Sequence, residues 1–285
     1  MANLKEIRNR IASVSSTMQI NASMQMVSAP KLKKAQDAIT AMRPYSDTLT
    51  DLLQSLSGSI ESSDASKYAA VRGEDKILLV AITSNRGLCG AFNTNVIKQA
   101  QSLAKGAYAG KAVSVMAVGK KSADILGKDF PLVSNESAIY EDLTFANVSE
   151  IADRLMEDFA TEKFDKIVLI YNKFKNAATQ IVTTEQFLPI VPVVGAAAES
   201  DYIFEPGKAE IVSELVPKAL KTQLFKGIRD SFASEHGARM TAMHKATDNA
   251  TDLRDQLKLT YNKARQAAIT NEILEIVGGA EALND

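Results

Sequence analysis

The sequence predicts an α/β central domain, a mostly parallel sheet with helices on both faces, plus a long antiparallel coiled coil of the N- and C-terminal helices. Two observations carry this reading. Apolar residues recur at helical spacing over both ends of the chain, and between the ends short continuous apolar runs alternate with amphipathic stretches. The chain has 285 residues, 46% of them apolar, enough for one large domain or two modest ones with a packed core. A formal charge of −1 argues against a general nucleic-acid binder.

The first predicted element is one helix over residues 1–56. Leu4, Ile7, Ile11, Val14 and Met18 step by three and four, and Met26, Ala29, Leu32, Ile39, Met42, Leu49, Leu53 and Leu56 continue the stripe less regularly. Such a helix would extend roughly 80 Å. Pro30 and Pro44 inside it predict kinks, since an interior proline typically costs about 3 kcal/mol. A Ser, Gly and Asp-rich stretch predicts a linker at 57–75.

The central domain is placed at 76–206. Lys76–Thr83 reads as a buried strand, followed by a glycine-containing turn and a helix over Ala91–Tyr108. Ala112–Val118 is a second strand, ending at Gly119 before a short helix, Lys120–Leu126. A loop, a helix over Asn147–Glu162, and two runs at 166–174 and 179–188 complete it, the last two close enough to form an antiparallel hairpin.

From 207 to 285 the helical pattern returns. Val212, Val216, Leu220, Leu224, Ile228 and Phe232 step by four, then Met243, Ala246, Ala250, Leu253, Leu257, Tyr261, Ala264 and Ala268 by three and four. The 40 residues from Ala238 to Val277 hold neither glycine nor proline, so the helix is long and needs a partner, for which the N-terminal helix is the obvious choice. The stretch Tyr261 to Ala280 reads as helical and apolar on several faces, as though inserted into a sleeve.

Chemistry-bearing motifs are few. Ser84-Asn85-Arg86-Gly87-Leu88-Cys89-Gly90 lies between a strand and a helix, where phosphate cradles form, yet lacks both the P-loop Gly-Lys-Ser/Thr and the three-glycine dinucleotide spacing. Gly119-Lys120-Lys121-Ser122 fails the P-loop pattern too, so Gly87, Cys89 and Gly90 are read as a structural turn. Cys89 is the one cysteine; both histidines, His236 and His244, fall in the C-terminal helix, so it reads as a buried structural thiol in a reducing compartment. Seven Lys/Arg against three Asp/Glu in the first 50 residues make the N-terminal helix basic, either a solvated face or a collar for partner carboxylates. Met18, Met24 and Met26 suit core packing or a moving contact. The start, Met1-Ala2-Asn3-Leu4-Lys5-Glu6, has no secretion core, and no apolar run is long enough to span a bilayer.

Three separated segments resemble the gamma subunit of F-type ATP synthases. They are Lys5-Glu6-Ile7-Arg8-Asn9-Arg10-Ile11 through Met24-Gln25-Met26-Val27-Ser28; Ser84 to Asn93; and Gly237-Ala238-Arg239-Met240-Thr241-Ala242-Met243 with Ala246-Thr247-Asp248-Asn249-Ala250, Ile269-Thr270-Asn271-Glu272, Glu275 and Gly279-Ala280. The resemblance implies a non-catalytic central rotor stalk with no cofactor or metal. Its terminal helices would stand inside a ring of three alpha and three beta subunits, and its central domain would meet an epsilon subunit and the proton-driven c-ring. It implies coupling contacts to the ring at Met24, Gln25, Arg239, Gln266, Thr270 and Glu272. It also implies a peripheral position on the cytoplasmic face of the bacterial inner membrane, held only through partners. The chain departs from the family pattern at Ile20-Asn21-Ala22-Ser23-Met24, at Pro30 and at the uncharged Gln25. Two other classes remain open on the residues alone. An α/β nucleotide-dependent enzyme would bind its ligand near Gly87–Gly90, and an unrelated coiled-coil scaffold would form a homo-oligomer by itself.

Overall fold

The computed structural model describes residues 4–55, 64–190, 205 and 207–281. Its elements are α1 (Leu4–Ser55), a 3-10 helix (Asp64–Tyr68), β1 (Lys76–Ile82), α2 (Phe92–Lys105), β2 (Ala112–Val118), α3 (Lys120–Leu126), β3 (Leu132–Asn135), a second 3-10 helix (Ser137–Tyr140), α4 (Phe145–Ala160), β4 (Lys166–Phe174), β5 (Gln180–Leu188) and α5 (Lys208–Glu281). By contact the chain forms two compact units. One joins residues 1–28 with 240–285, and the other is Ala29–Arg239.

In the larger unit the strands lie in the order β3-β2-β1-β4-β5. β1 pairs in parallel with β2 and β4, β2 with β3, and β5 closes the edge antiparallel to β4. Buried parallel strands need covering on both sides, and the chain supplies helices to both. On one face α2 sets Val96, Ile97 and Ala100 and α3 sets Leu126 against Ile77, Leu79, Val113 and Val115. On the other, α4 (Ile151, Leu155, Phe159) and the start of α5 cover Leu78, Val80, Ile167 and Leu169. Val212, Val216, Leu220, Leu224 and Ile228 are all fully or almost fully buried in that second cluster, each worth about 1.5–3 kcal/mol of burial. Their four-residue step therefore answers the sheet and not the N-terminal helix. The short strand β3 falls within the stretch expected to be a loop: four residues, none fully buried, leave no apolar run to read.

α1 runs without a break through Pro30 and Pro44. The carbonyls those prolines cannot bond belong to Met26 and Thr40, both exposed, so water can satisfy them. The buried stripe along α1 is more regular than its apolar residues suggest. It steps by three and four through Leu4, Ile7, Ile11, Val14, Met18, Asn21, Gln25, Ser28, Leu32, Ala35, Ile39, Met42, Ser46 and Leu49, all buried or half-buried. Met26, expected on the stripe, is 76% exposed, and Ala29 also faces out. The heptad frame continues unbroken; small and polar residues occupy it, with Asn21, Ser28 and Ser46 buried.

The smaller unit pairs the two chain ends. On α5 the covered positions include Met243, Ala246, Ala250, Arg254, Leu257, Tyr261 and Ala264, flanked at first by half-buried Thr247 and Thr251, while Leu253 and Ala268, expected on the seam, are exposed. This covered stripe is about as long as the α1 stripe from Leu4 to Ser28, as two antiparallel partners of one unit require. Cover ends at Ala264, and every residue from Arg265 to Ala280 is exposed.

Candidate functional site

The sheet order reverses direction between β1 and β4: the connections through α2 and α3 run one way from β1, and β4 lies on its other side. In open α/β sheets that switch point, at the carboxyl ends of the strands, is where ligands bind. Here the chain fills it with its own groups. After β1, the Ser84 backbone N–H donates to Asn93 Oδ1 at 2.9 Å, and Ser84 Oγ donates to Arg86 O at 2.5 Å. Asn93 Nδ2 lies 3.2 Å from Cys89 Sγ, and Asn172 Nδ2 at the end of β4 donates to Phe92 O at 3.0 Å. Asn85 ties the turn outward, donating to Ser137 O and accepting from the Lys120 N–H.

The turn closes through left-handed residues, Leu88 at φ 61° and Gly90 at φ 60°, so glycine at 90 removes a steric cost that Leu88 bears. Gly87 has open space where a side chain would stand. Cys89 is 1% exposed and packs with Phe92 and Ala238; burial pushes its thiol above the ordinary range. An inert structural thiol results.

Gly119 is equally structural. Its φ of 120° is open to glycine, and a Cβ there would overlap the Thr83 carbonyl. Ser122 is buried, its single hydroxyl proton shared between Gly119 O at 2.9 Å and Ala81 O at 3.1 Å while its oxygen accepts from Thr83 Oγ1 at 2.9 Å. No hydroxyl remains there to face a phosphate.

α5 completes the larger unit's polar centre. Arg239, 7% exposed, pairs with Glu235 across 2.6 Å and reaches the turn, donating to Arg86 O at 3.4 Å and Gly87 O at 3.3 Å. It thereby caps carbonyls that the left-handed turn leaves without helical partners. Burial raises the Glu235 pKa, and Arg239 opposes the rise. Gly237 lets the helix approach the β4–β5 hairpin: a Cβ would lie 3.1 Å from the Ala177 backbone. His236 packs edge-on to Phe232 at 4.6 Å, with no hydrogen-bond partner on either nitrogen among the described residues; burial first, then Arg239 and Lys31, push its pKa down to about 4. It is neutral at physiological pH.

The remaining sequence-expected residues lie in the smaller unit. Met24 and Gln25 are half-buried on α1, Gln25 on the seam itself. Gln266, Thr270 and Glu272 are exposed, and Thr270 Oγ1 donates back to Gln266 O at 2.9 Å. Gln266, Thr270 and Glu272 are thus free to face a partner, whereas Arg239 is committed inside the chain. Sequence reasoning missed the buried polar run Asp230, Ser231, Ser234, Glu235 and His236. The signal available was Gly237, a glycine in mid-helix, which marks a close backbone approach.

Fold and site define a class of arrangement: an α/β domain whose strand-end crevice is filled by its own groups, in a chain with two very long terminal helices of 52 and 74 residues. The family model for ATP synthase matches residues 3–283. The ATP synthase gamma chain of Flavobacterium johnsoniae is 68% identical over 286 residues, covering 100% of both chains. Among solved structures, the rotor of the Euglena gracilis mitochondrial ATP synthase superposes with a TM-score of 0.68 at 22% identity, over 93% of this chain and 98% of that one. A chain of the Tetrahymena thermophila mitochondrial ATP synthase central stalk and c-ring gives 0.60 at 24% identity, over 80% and 99%. The chain belongs to the ATP synthase gamma-chain family.

Proposed function

We propose that the chain is the central stalk of an F-type ATP synthase, carrying rotation between a proton-driven membrane ring and a catalytic ring of alpha and beta subunits without bond chemistry of its own. The observation that carries this is the end of α5: sixteen helical residues, 265 to 280, are exposed on every face although Ile269, Ile273, Leu274, Ile276 and Val277 are apolar. A solvent-exposed apolar helix end of that length calls for a surrounding partner. Family membership supports ATP synthase subunits as partners, and our reading takes these to be alpha and beta subunits, three of each, with an epsilon subunit and c-ring at the other end of the stalk.

An eccentric shaft inside a threefold ring touches each catalytic subunit differently, so its rotation biases each between open and closed states. Met24, Gln25, Gln266, Thr270 and Glu272 make these coupling contacts, and Arg239 serves them from within by holding the Ser84–Gly90 turn. No described helix is long and apolar enough to cross a membrane, and attachment to the cytoplasmic face of the bacterial inner membrane runs through the partners. The test is reconstitution. The purified chain alone should hydrolyse no ATP, and assembly with alpha and beta subunits and the membrane sector should give proton-coupled turnover that is lost on truncation after Ala264. ATP hydrolysis by the pure chain, or full coupling without residues 265–285, would sink the reading.

A further inference from the structure

Where α4 begins beside α5, the larger unit sets an exposed aromatic ring close to a cation that has no acid. Phe145, the first residue of α4, is 44% exposed. Its ring stands edge-on to Phe225 of α5 at 5.5 Å between centroids. Arg229, one turn further along α5, lies over the same Phe225 ring, its guanidinium carbon 4.9 Å from the centroid. Arg229 Nη2 donates to Leu143 O at 2.9 Å, which ties the guanidinium to the chain just before α4. A guanidinium carries five N–H donors, so most of its capacity is left over.

Among the described residues no carboxylate pairs with Arg229. Asp230, its neighbour in sequence, faces Arg43, Lys226 and Lys173. Asp142, which precedes Leu143, accepts from Asn147 Nδ2 at 3.1 Å through Oδ2. Arg229 is half-buried, and burial pushes its pKa below the ordinary range with no acid to oppose the shift. A cation in that setting has given up hydration without an ion pair in return. Arginine and large aromatics are the residue types that carry much of the energy of protein interfaces, the one by parallel bonds to a carboxylate, the other by a rigid apolar body.

We propose that Phe145 and Arg229 form a docking point for a protein partner that sets a carboxylate on the guanidinium and an apolar side chain against the exposed Phe145 ring. Charge complementarity selects the carboxylate. The aromatic selects a protein over a free anion, which would leave the ring in water. The inference rests on the shaft reading only for where the partner is found, among the subunits of the assembled synthase.

Photo-crosslinking in the purified, assembled complex tests this, with benzoylphenylalanine in place of Phe145 in the full chain. The expected result is one major cross-link to a partner subunit, at a peptide that holds Asp or Glu. Adding Arg229→Gln should cut its yield roughly fivefold or more, and Arg229→Lys, which keeps the charge, should cut it less. Melting curves of the isolated chains check that both variants fold, and the sequence of the cross-linked peptide decides the matter even where one does not. No cross-link in a complex that still pumps protons would overturn this proposal and leave the shaft reading standing. A cross-linked peptide without acids, a yield unchanged by Arg229→Gln, or equal losses in the Gln and Lys variants would overturn it too. Failure of the parent chain to assemble at all would sink the shaft reading and this proposal with it.

Discussion

Two stretches of one helix behave in opposite ways. Between residues 230 and 239, α5 buries Asp230, Ser231, Ser234, Glu235, His236 and Arg239, whereas between 265 and 280 it exposes Ile269, Ile273, Leu274, Ile276 and Val277. Composition alone would assign these stretches the other way round. Burial follows neighbours: the first stretch packs beside the β4–β5 hairpin and the Ser84–Gly90 turn, and the second is left uncovered by the described residues. Polar residues tolerate the first setting because several are paired, as Arg239 with Glu235 and Ser234 Oγ with Asn172 O.

The contrast breaks most sharply at Arg239. Arg239→Ala leaves Glu235 buried without its cation and uncaps the turn, so urea unfolding should register a loss of about 3–5 kcal/mol. Replacing both, by Arg239→Met with Glu235→Leu, should cost much less, since no orphan charge remains.

The next effect lies at His236. Its pKa is pushed down to about 4, so between pH 6.5 and 4 the unfolded chain binds a proton that the folded chain refuses. Stability from this group is therefore complete above about pH 6.5 and is lost as pH falls towards 4, by about 3 kcal/mol. Glu235 and Asp230, whose carboxyls burial raises, act in the opposite sense, losing stability as pH rises above the ordinary carboxylate range. They are present with or without the histidine. The stability difference between His236→Leu and the parent chain, followed by denaturant melts from pH 7 to 4, should grow in favour of the variant as pH falls.

The smallest effect sharpens the comparison from the exposed side. Leu274→Ser and Ile276→Ser should change unfolding free energy by no more than about 0.5 kcal/mol, although both replace large apolar side chains. A larger loss in urea melts of the isolated chain would mean that these side chains are covered within it.

Legibility in the sequence tracked the physical signal. Continuous apolar runs at Lys76–Ile82 and Lys166–Phe174 read directly as buried strands, because a parallel strand covered on both faces excludes polar residues. The turn at Gly87–Gly90 was readable as structural from the missing P-loop spacing. Its cap, Arg239, was not, because the two lie 152 residues apart and nothing local pairs them. Beyond Met18 the apolar pattern of α1 points to Met26 and Ala29, while the covered positions are Asn21 and Ser28, both buried, and half-buried Gln25. A hydrophobic pattern cannot find a seam occupied by polar side chains.

The sequence by itself determined the long terminal helices, every strand but β3 and the family, since these rest on local periodicity and on motifs contiguous in the chain. Tertiary structure alone decided which face each helix buries, that the start of α5 covers the sheet, and that Arg239 closes the β1 turn. Each of those facts is a meeting of residues distant in sequence, and such meetings are set by packing that no local pattern encodes.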